Sequence, residues 1–188
     1  MTLLRAGIDE VGRGCLAGPV LAAAVILPEQ YDLPGLTDSK KLSPRRRELL
    51  ATAIQQQAIA WGLGRAEVSE IDRINIRNAA LLAMRRALSA LEPKADCYCV
   101  DGRDLPSAQI PGQAVVGGDG LIAEISAASI VAKVYRDHEI SLLDQLYPGY
   151  EFCRHKGYGT TLHLAKLAEL GPSPAHRVSF KPVRSVSF

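Results

Sequence analysis

The sequence predicts an α/β fold in which a mixed sheet is flanked by helices. Two observations lead there. Apolar segments of strand character come first, as an adjacent pair at residues 3–10 and 19–27, and helical patterns alternate with short strands afterwards. The 188 residues amount to one large domain, and no repeat, low-complexity stretch or linker divides them.

Leu3, Leu4, Ala6 and Ile8 give residues 3–10 the look of a buried strand, which breaks at Gly12-Arg13-Gly14. The second strand, Pro19 to Leu27, is almost unbroken, and the glycines between the two suggest a hairpin-like pair. After a loop marked by Pro28 and Pro34, Ser43-Pro44 reads as an N-cap followed by a first-turn proline. That helix should run through Leu49, Leu50 and Ile54. Residues 57–68 resemble another strand, interrupted by Gly62 and Gly64. From about Ile74, the spacing of Leu81, Met84, Leu88 and Leu91 predicts a helix, with Arg85 and Arg86 facing away. Short strands follow at Cys97–Val100 and at 113–116, and the Ser126–Ser129 run gives a long helix over about 122–146 a small-residue face. A last helix, near 161–170, should stop at Gly171. The tail from Pro172 to Phe188 is basic and partly apolar.

Apolar residues make up 47% of the chain and charged residues 22%, an ordinary composition for a soluble protein with a full core. The net charge of +2 permits nucleic-acid binding without arguing for it, so the case rests on where the charges sit. No signal peptide or membrane-spanning run is expected, which points to a cytoplasmic protein with reduced thiols. Cys97 and Cys99 alternate in a strand and should face opposite ways, as core thiols rather than a shared metal site.

Three strand-like segments end in an acid: Asp9-Glu10, Asp101 before a glycine, and Asp119 in Gly-Gly-Asp-Gly. Side by side, these strand ends would bring four carboxylates into a small volume, which divalent cations would make favourable. Oxygen ligands without an adjacent His or Cys favour Mg²⁺ or Mn²⁺ and suit phosphoryl transfer. Taken singly, Asp101 and Asp119 also read as ordinary loop residues. Asp9-Glu10 is harder to dismiss, although neighbours on a strand face opposite ways unless it twists or ends there.

Basic residues cluster at Lys40-Lys41, Arg45–Arg47 and Arg154–Lys156, and Arg177, Lys181 and Arg184 punctuate the tail. Each run alone reads as a solvated face, whereas together with Arg13 and the acids they fit positioning of nucleic-acid phosphates. Tyr158, between two glycines, suits stacking on a sugar or base; covering a hydrophobic edge is the other reading.

The stretches GIDEVGRG (7–14), LTDSKKLS (36–43), INIRNAALLAM (74–84), VDG (100–102), ISAASIVAKVYRD (125–137) and HKGYGT (155–160) closely resemble bacterial ribonuclease HII, in order and spacing over nearly the whole chain. The resemblance implies a ribonuclease H-like fold: a central mixed five-stranded sheet flanked by helices, with a helical C-terminal extension. Residues 1–188 would form a single catalytic domain, with about 160–188 as its C-terminal helix and basic tail. It implies cleavage of the RNA strand of RNA–DNA hybrids and incision of duplex DNA 5′ to a single embedded ribonucleotide. The products would be 3′-hydroxyl and 5′-phosphate ends, in the service of ribonucleotide excision and RNA primer removal. Asp9, Glu10, Asp101 and Asp119 would be the catalytic and metal-binding acids for two Mn²⁺ or Mg²⁺ ions. Asp9 would bridge the ions, Asp119 would lie on the water-activating side, and Glu10 and Asp101 on the other. Gly12, Arg13 and Gly14 would sense the ribose 2′-hydroxyl through backbone groups, and Tyr158 would stack on the deoxyribose at the junction. Lys40, Lys41 and Arg177 complete the expected substrate-binding set. A monomer is expected, with the tail as a candidate contact for a sliding clamp.

The chain departs from the family pattern at three places. Cys15 stands where many members have proline after the turn, Gly117 where lysine is common, and Val178 where a second arginine often follows His176-Arg177. Ribonuclease HIII shares the fold but adds an N-terminal domain, for which Asp9 is expected to leave no room. A general two-metal nuclease would not need the Gly-Arg-Gly turn with Tyr158. A non-catalytic hybrid-binding module would not need all four acids.

Overall fold

The computed structural model describes residues 3–186. Five strands, β1 (Arg5–Val11), β2 (Val20–Ile26), β3 (Ala60–Ala66), β4 (Cys97–Asp101) and β5 (Gly112–Val115), form one sheet in the order β3-β2-β1-β4-β5. The first three pair antiparallel, as the hairpin-like reading of the first two predicts, and β4 and β5 continue parallel to β1. The sheet is therefore mixed. Helices α1 (Pro44–Gln57) and α3 (Ala123–Leu146) cover one face and α2 (Val68–Ser89) covers the other.

Every residue of β2 is buried, because both faces of this strand are covered. Ala22 and Ala24, with Ile8 of β1, face Ala79, Ala83 and Ala87 of α2. Ala23 and Val25 face Ile54 of α1 and Ala127 and Val131 of α3. Small side chains let the layers approach closely. The approach is very tight at Gly7, where an added Cβ would lie 2.1 Å from the carbonyl carbon of Glu124. Only glycine allows β1 to lie on the α3 backbone there.

Helix ends follow local chemistry. The Ser43 hydroxyl accepts from the Arg46 N–H at 3.3 Å ahead of Pro44, and Thr160 caps α5 (Thr161–Leu170) in the same way before it stops at Gly171. α2 departs from the expected start near Ile74. It begins at Val68, where the Glu67 N–H donates to the Glu70 carboxylate, and breaks at Asn75, whose φ is +67°. Asn75 Oδ1 then accepts from the Asn78 N–H and caps the second segment, so the change of pattern at 74 marks an interruption rather than a beginning.

Beyond α3 lie the single turns α4 (Phe152–His155) and α6 (Lys181–Arg184). The tail is not loose, since Phe180 and the fully buried Val183 pack on Leu16 and Leu167. Residues 1 and 2 of the expected domain, and 187 and 188 of the expected tail, lie outside the described residues. No described helix is long and apolar enough to cross a membrane. Cys99 is a core thiol, which burial pushes up to about 11, and its Sγ reaches the Ala6 carbonyl at 3.5 Å.

The topology also positions the acids. Parallel strands end at the same sheet edge, where open α/β sheets bind ligands. Ile8 pairs with Val100, which puts Asp9 beside Asp101. Asp101 pairs with Val115, after which the chain enters a one-turn 3₁₀ helix, Gly118–Gly120, that carries Asp119.

Candidate active site

Asp9, Asp101 and Asp119 each offer a carboxylate oxygen within 4.8 Å of the other two. Asp9 and Asp119 are 6% and 7% exposed, so two of the three carboxylates are almost out of water. Burial foremost, then the Glu10 and Asp101 carboxylates, holds the Asp9 carboxyl well above its usual range. The group is fastened from behind. Asp9 Oδ1 accepts from the Glu10 N–H at 2.8 Å, Asp101 Oδ1 accepts from the Gly118 N–H at 2.8 Å, and the Ser126 hydroxyl donates to the Asp119 carbonyl at 2.7 Å.

Glu10 stands apart from this group. It follows Asp9 on the strand and so projects from the opposite face, where Arg13 Nη1 donates to its Oε1 at 3.2 Å. With Asp101, Arg77 and Asp104 it lines a cleft of about 110 Å³ on the α2 side. Burial raises its carboxyl above the usual range, partly offset by Arg13. Asp101 at the strand end lines this cleft too and connects the two sides. The expectation of four converging carboxylates thus becomes a group of three with Glu10 across the sheet edge.

Lys40 is exposed, and its Nζ donates to Asp119 Oδ2 at 3.1 Å. Burial alone would lower its ammonium pKa, but Asp119, then Asp38 and Asp9, raise it on balance. Lys41 is exposed beside it. The loop carrying both is pinned by Arg47, which donates to the Ser39 and Leu42 carbonyls at 3.1 and 2.6 Å, and by a buried Ser39–Ser129 hydroxyl pair at 2.9 Å. Ser129 also favours the ionised form of Asp9, so one hydroxyl of α3 acts on both the acids and the basic loop. Sequence reasoning counted Ser129 only as part of a small-residue face.

The Gly12-Arg13-Gly14 turn lies at the same edge, with Arg13 and Gly14 exposed. Gly12 has φ +94°, and a Cβ there would come within 2.9 Å of the buried Arg136 Nε, so both conformation and space require glycine. Tyr158 is 43% exposed, forms an antiparallel bridge with Cys15, and lies next to Gly14. The turn and the tyrosine are therefore neighbours.

Arg177 requires a correction. Expected to bind substrate directly, it is fully buried, and its guanidinium donates to the carbonyls of Gly18 at 2.9 Å, Arg13 at 3.0 Å and Pro19 at 3.2 Å. Burial, then the Arg136 guanidinium, pulls it down to about 10. The sequence marked Arg177 as a tail cation; it shows no sign that the tail folds back beneath the turn.

The donor set fits a hard divalent cation: oxygen only, close-set, and mutually repulsive without a positive partner. Asp9, Asp101 and Asp119 would hold it. Residues 6–183 match the family model for ribonuclease HII. Over 186 residues the chain is 56% identical to the ribonuclease HII of Methylococcus capsulatus, covering 99% of this chain and 96% of that one. The chain belongs to the ribonuclease HII family. In structure it is similar to ribonuclease H2 from Pyrococcus horikoshii OT3, with a TM-score of 0.82 and 25% identity over 98% of this chain and 97% of that one. It is also similar to a structure of the PCNA–RNase HII complex from Archaeoglobus fulgidus, with a TM-score of 0.78 and 25% identity over 98% and 95%. The ribonuclease H-like fold expected from the motifs is the observed one. Membership makes the chain a ribonuclease H, an endonuclease acting on RNA–DNA hybrids, in a family that uses divalent metals.

Proposed function

We propose that the chain, as one catalytic domain and a monomer, also incises duplex DNA 5′ to single embedded ribonucleotides, serving ribonucleotide excision and RNA primer removal. The observation that carries this reading is the adjacency of the three-acid group to a backbone-exposing turn and an exposed tyrosine at one sheet edge. The 2′-hydroxyl is what distinguishes one ribonucleotide from its DNA neighbours. Gly12, Arg13 and Gly14 bring backbone groups to that hydroxyl, while Tyr158 offers a ring face to the next sugar. Lys40 and Lys41 hold flanking phosphates. Water attacks the phosphorus, the bond to the 3′-oxygen breaks, and that oxygen takes up a proton, giving 3′-hydroxyl and 5′-phosphate ends.

Asp9, Asp101 and Asp119, with Glu10 from the other face, are the acids for two Mg²⁺ or Mn²⁺ ions. When bound, these supply activation of the attacking water and charge stabilisation at the leaving oxygen. A sliding-clamp contact through the tail also belongs to this reading, since the Archaeoglobus relative was solved with PCNA. Phe180 and Val183 are packed inward, so other tail residues would have to make it.

The test is to incubate the protein with duplex DNA containing one ribonucleotide, with Mg²⁺, with Mn²⁺ and with chelator. Metal-dependent incision 5′ to the ribonucleotide is expected. Intact duplex under both metals, alongside a cleaved RNA–DNA hybrid, would remove the single-ribonucleotide activity and leave the family activity standing.

A further inference from the structure

We propose that the tail dipeptide His176-Arg177 is a positioning clamp that fixes the Gly12-Arg13-Gly14 turn relative to Tyr158 and thereby sets the preference for a ribonucleotide. The inference rests on the reading of that turn and tyrosine given above. These two neighbouring residues, both buried, reach the two halves of the recognition surface separately.

Arg177 holds one half. Its three carbonyl partners, on Arg13, Gly18 and Pro19, lie at the two ends of the loop that follows the turn. Three fixed carbonyls match a guanidinium fork and exceed what a lysine ammonium on a flexible stem can hold in one geometry. Main-chain bonds support the grip, with the Arg177 N–H donating to Leu16 and the Gly18 N–H to Ala175, both at 2.8 Å.

His176 holds the other half through a chain of rings. Its Nδ1 accepts from the Ser173 N–H at 3.0 Å, so Nε2 carries the proton and donates to His163 Nε2 at 3.0 Å. His163 Nδ1 therefore carries a proton and donates to the Tyr158 carbonyl at 2.9 Å. His155 stacks on His163 at 4.0 Å and accepts from the Gly157 N–H at 3.2 Å. The tautomers are mutually consistent, and His163 and His176 are neutral, in keeping with burial that pulls both down to about 4.

The halves meet where the Leu16 N–H donates to the Gly157 carbonyl at 2.7 Å and Cys15 bridges Tyr158. None of the clamp side chains faces solvent, so they act only through the backbone they hold. Reading by backbone atoms and one ring face tolerates little displacement; errors of about 1 Å can cost roughly a hundredfold.

The test compares wild type with Arg177→Lys, His176→Ala, His163→Ala and His163→Asn, the last keeping a donor for the Tyr158 carbonyl. Binding is measured in chelator by anisotropy, on duplex DNA with and without one ribonucleotide. Cleavage is measured on the single-ribonucleotide duplex and on a continuous hybrid. Arg177→Lys, His176→Ala and His163→Ala should lose about tenfold of the ribonucleotide preference while binding all-DNA duplex within about twofold of wild type. His163→Asn should retain most of the preference. Folded variants that keep the wild-type preference, or lose both substrates equally, overturn the clamp. Should His176→Ala not fold, the two His163 variants decide. Wild type without any ribonucleotide preference overturns the functional reading, and the clamp falls with it.

Discussion

Replacing Asp9 by asparagine should abolish cleavage and make the metal-free protein more stable. Asparagine keeps the shape and the Oδ1 that accepts from the Glu10 N–H, and removes only the charge. The carboxylate oxygens of Asp9, Asp101 and Asp119 lie within 4.8 Å of one another. At an effective dielectric of about 20, each such pair repels by roughly 3 kcal/mol. Lys40 on Asp119 and solvent at the open edge offset part of this, leaving a net gain of about 1–3 kcal/mol. For a chain of this length that corresponds to a melting temperature raised by roughly 3–8 °C. The folded Asp9 pKa is raised above 3.8, so the native state takes up this proton more readily than the unfolded chain. The penalty in wild type is therefore present at neutral pH and disappears as pH falls through the raised value. The assay is thermal melting by circular dichroism in chelator at pH 7.5, repeated at falling pH and with added Mn²⁺. The variant should melt higher in chelator, its advantage should shrink as pH falls, and Mn²⁺ should stabilise it less than wild type. A variant that melts at or below wild type in chelator refutes the repulsion argument, and one that cuts normally refutes the catalytic assignment.

The buried histidines give a pH dependence of opposite sign. His163 and His176 are held near 4 against an unfolded value of 6.5, so their contribution is intact above pH 6.5 and is lost between 6.5 and 4. Urea unfolding of wild type and His163→Asn at pH 7.5 and 4.5 should show about 2 kcal/mol more acid destabilisation in wild type; parallel losses would refute it. Lys40→Ala should weaken duplex binding and reduce the slope of log affinity against log salt by about 1, which a salt titration reads directly. Tyr158→Ala should cost about 1–3 kcal/mol of affinity for the ribonucleotide duplex while Tyr158→Phe binds as wild type, and equal affinities for the two variants would remove the stacking role.

Much of the fold was legible because local chemistry writes it. Ser43-Pro44 begins a helix, Gly171 ends one, and the unbroken apolar run at 19–27 is a strand covered on both faces. The motif acids were legible too, since carboxylates at the ends of apolar strands are costly without a cationic partner. Less visible was the helical segment ahead of Ile74, where Glu67 and Glu70 form a cap in what reads as the end of a strand. Hidden altogether were Ser129, which holds the Ser39 loop, and the histidine chain from Ser173 to Tyr158. Ser39 and Ser129 are 90 residues apart, and His163 meets His176 only once the tail has folded back on α5, so no spacing rule announces either contact.

By itself the sequence determined the family, the five strands and the main body of the long helices, and which acids stand at strand ends. Tertiary structure decided which acids share a volume. Parallel pairing of β1 with β4 set Asp9 beside Asp101, while strand alternation turned Glu10 to the other face. It also decided that Arg177 serves the turn from within rather than the substrate from outside, because the tail folds back and three backbone carbonyls receive its guanidinium. A one-dimensional pattern fixes which way a side chain alternates; only packing fixes what it meets.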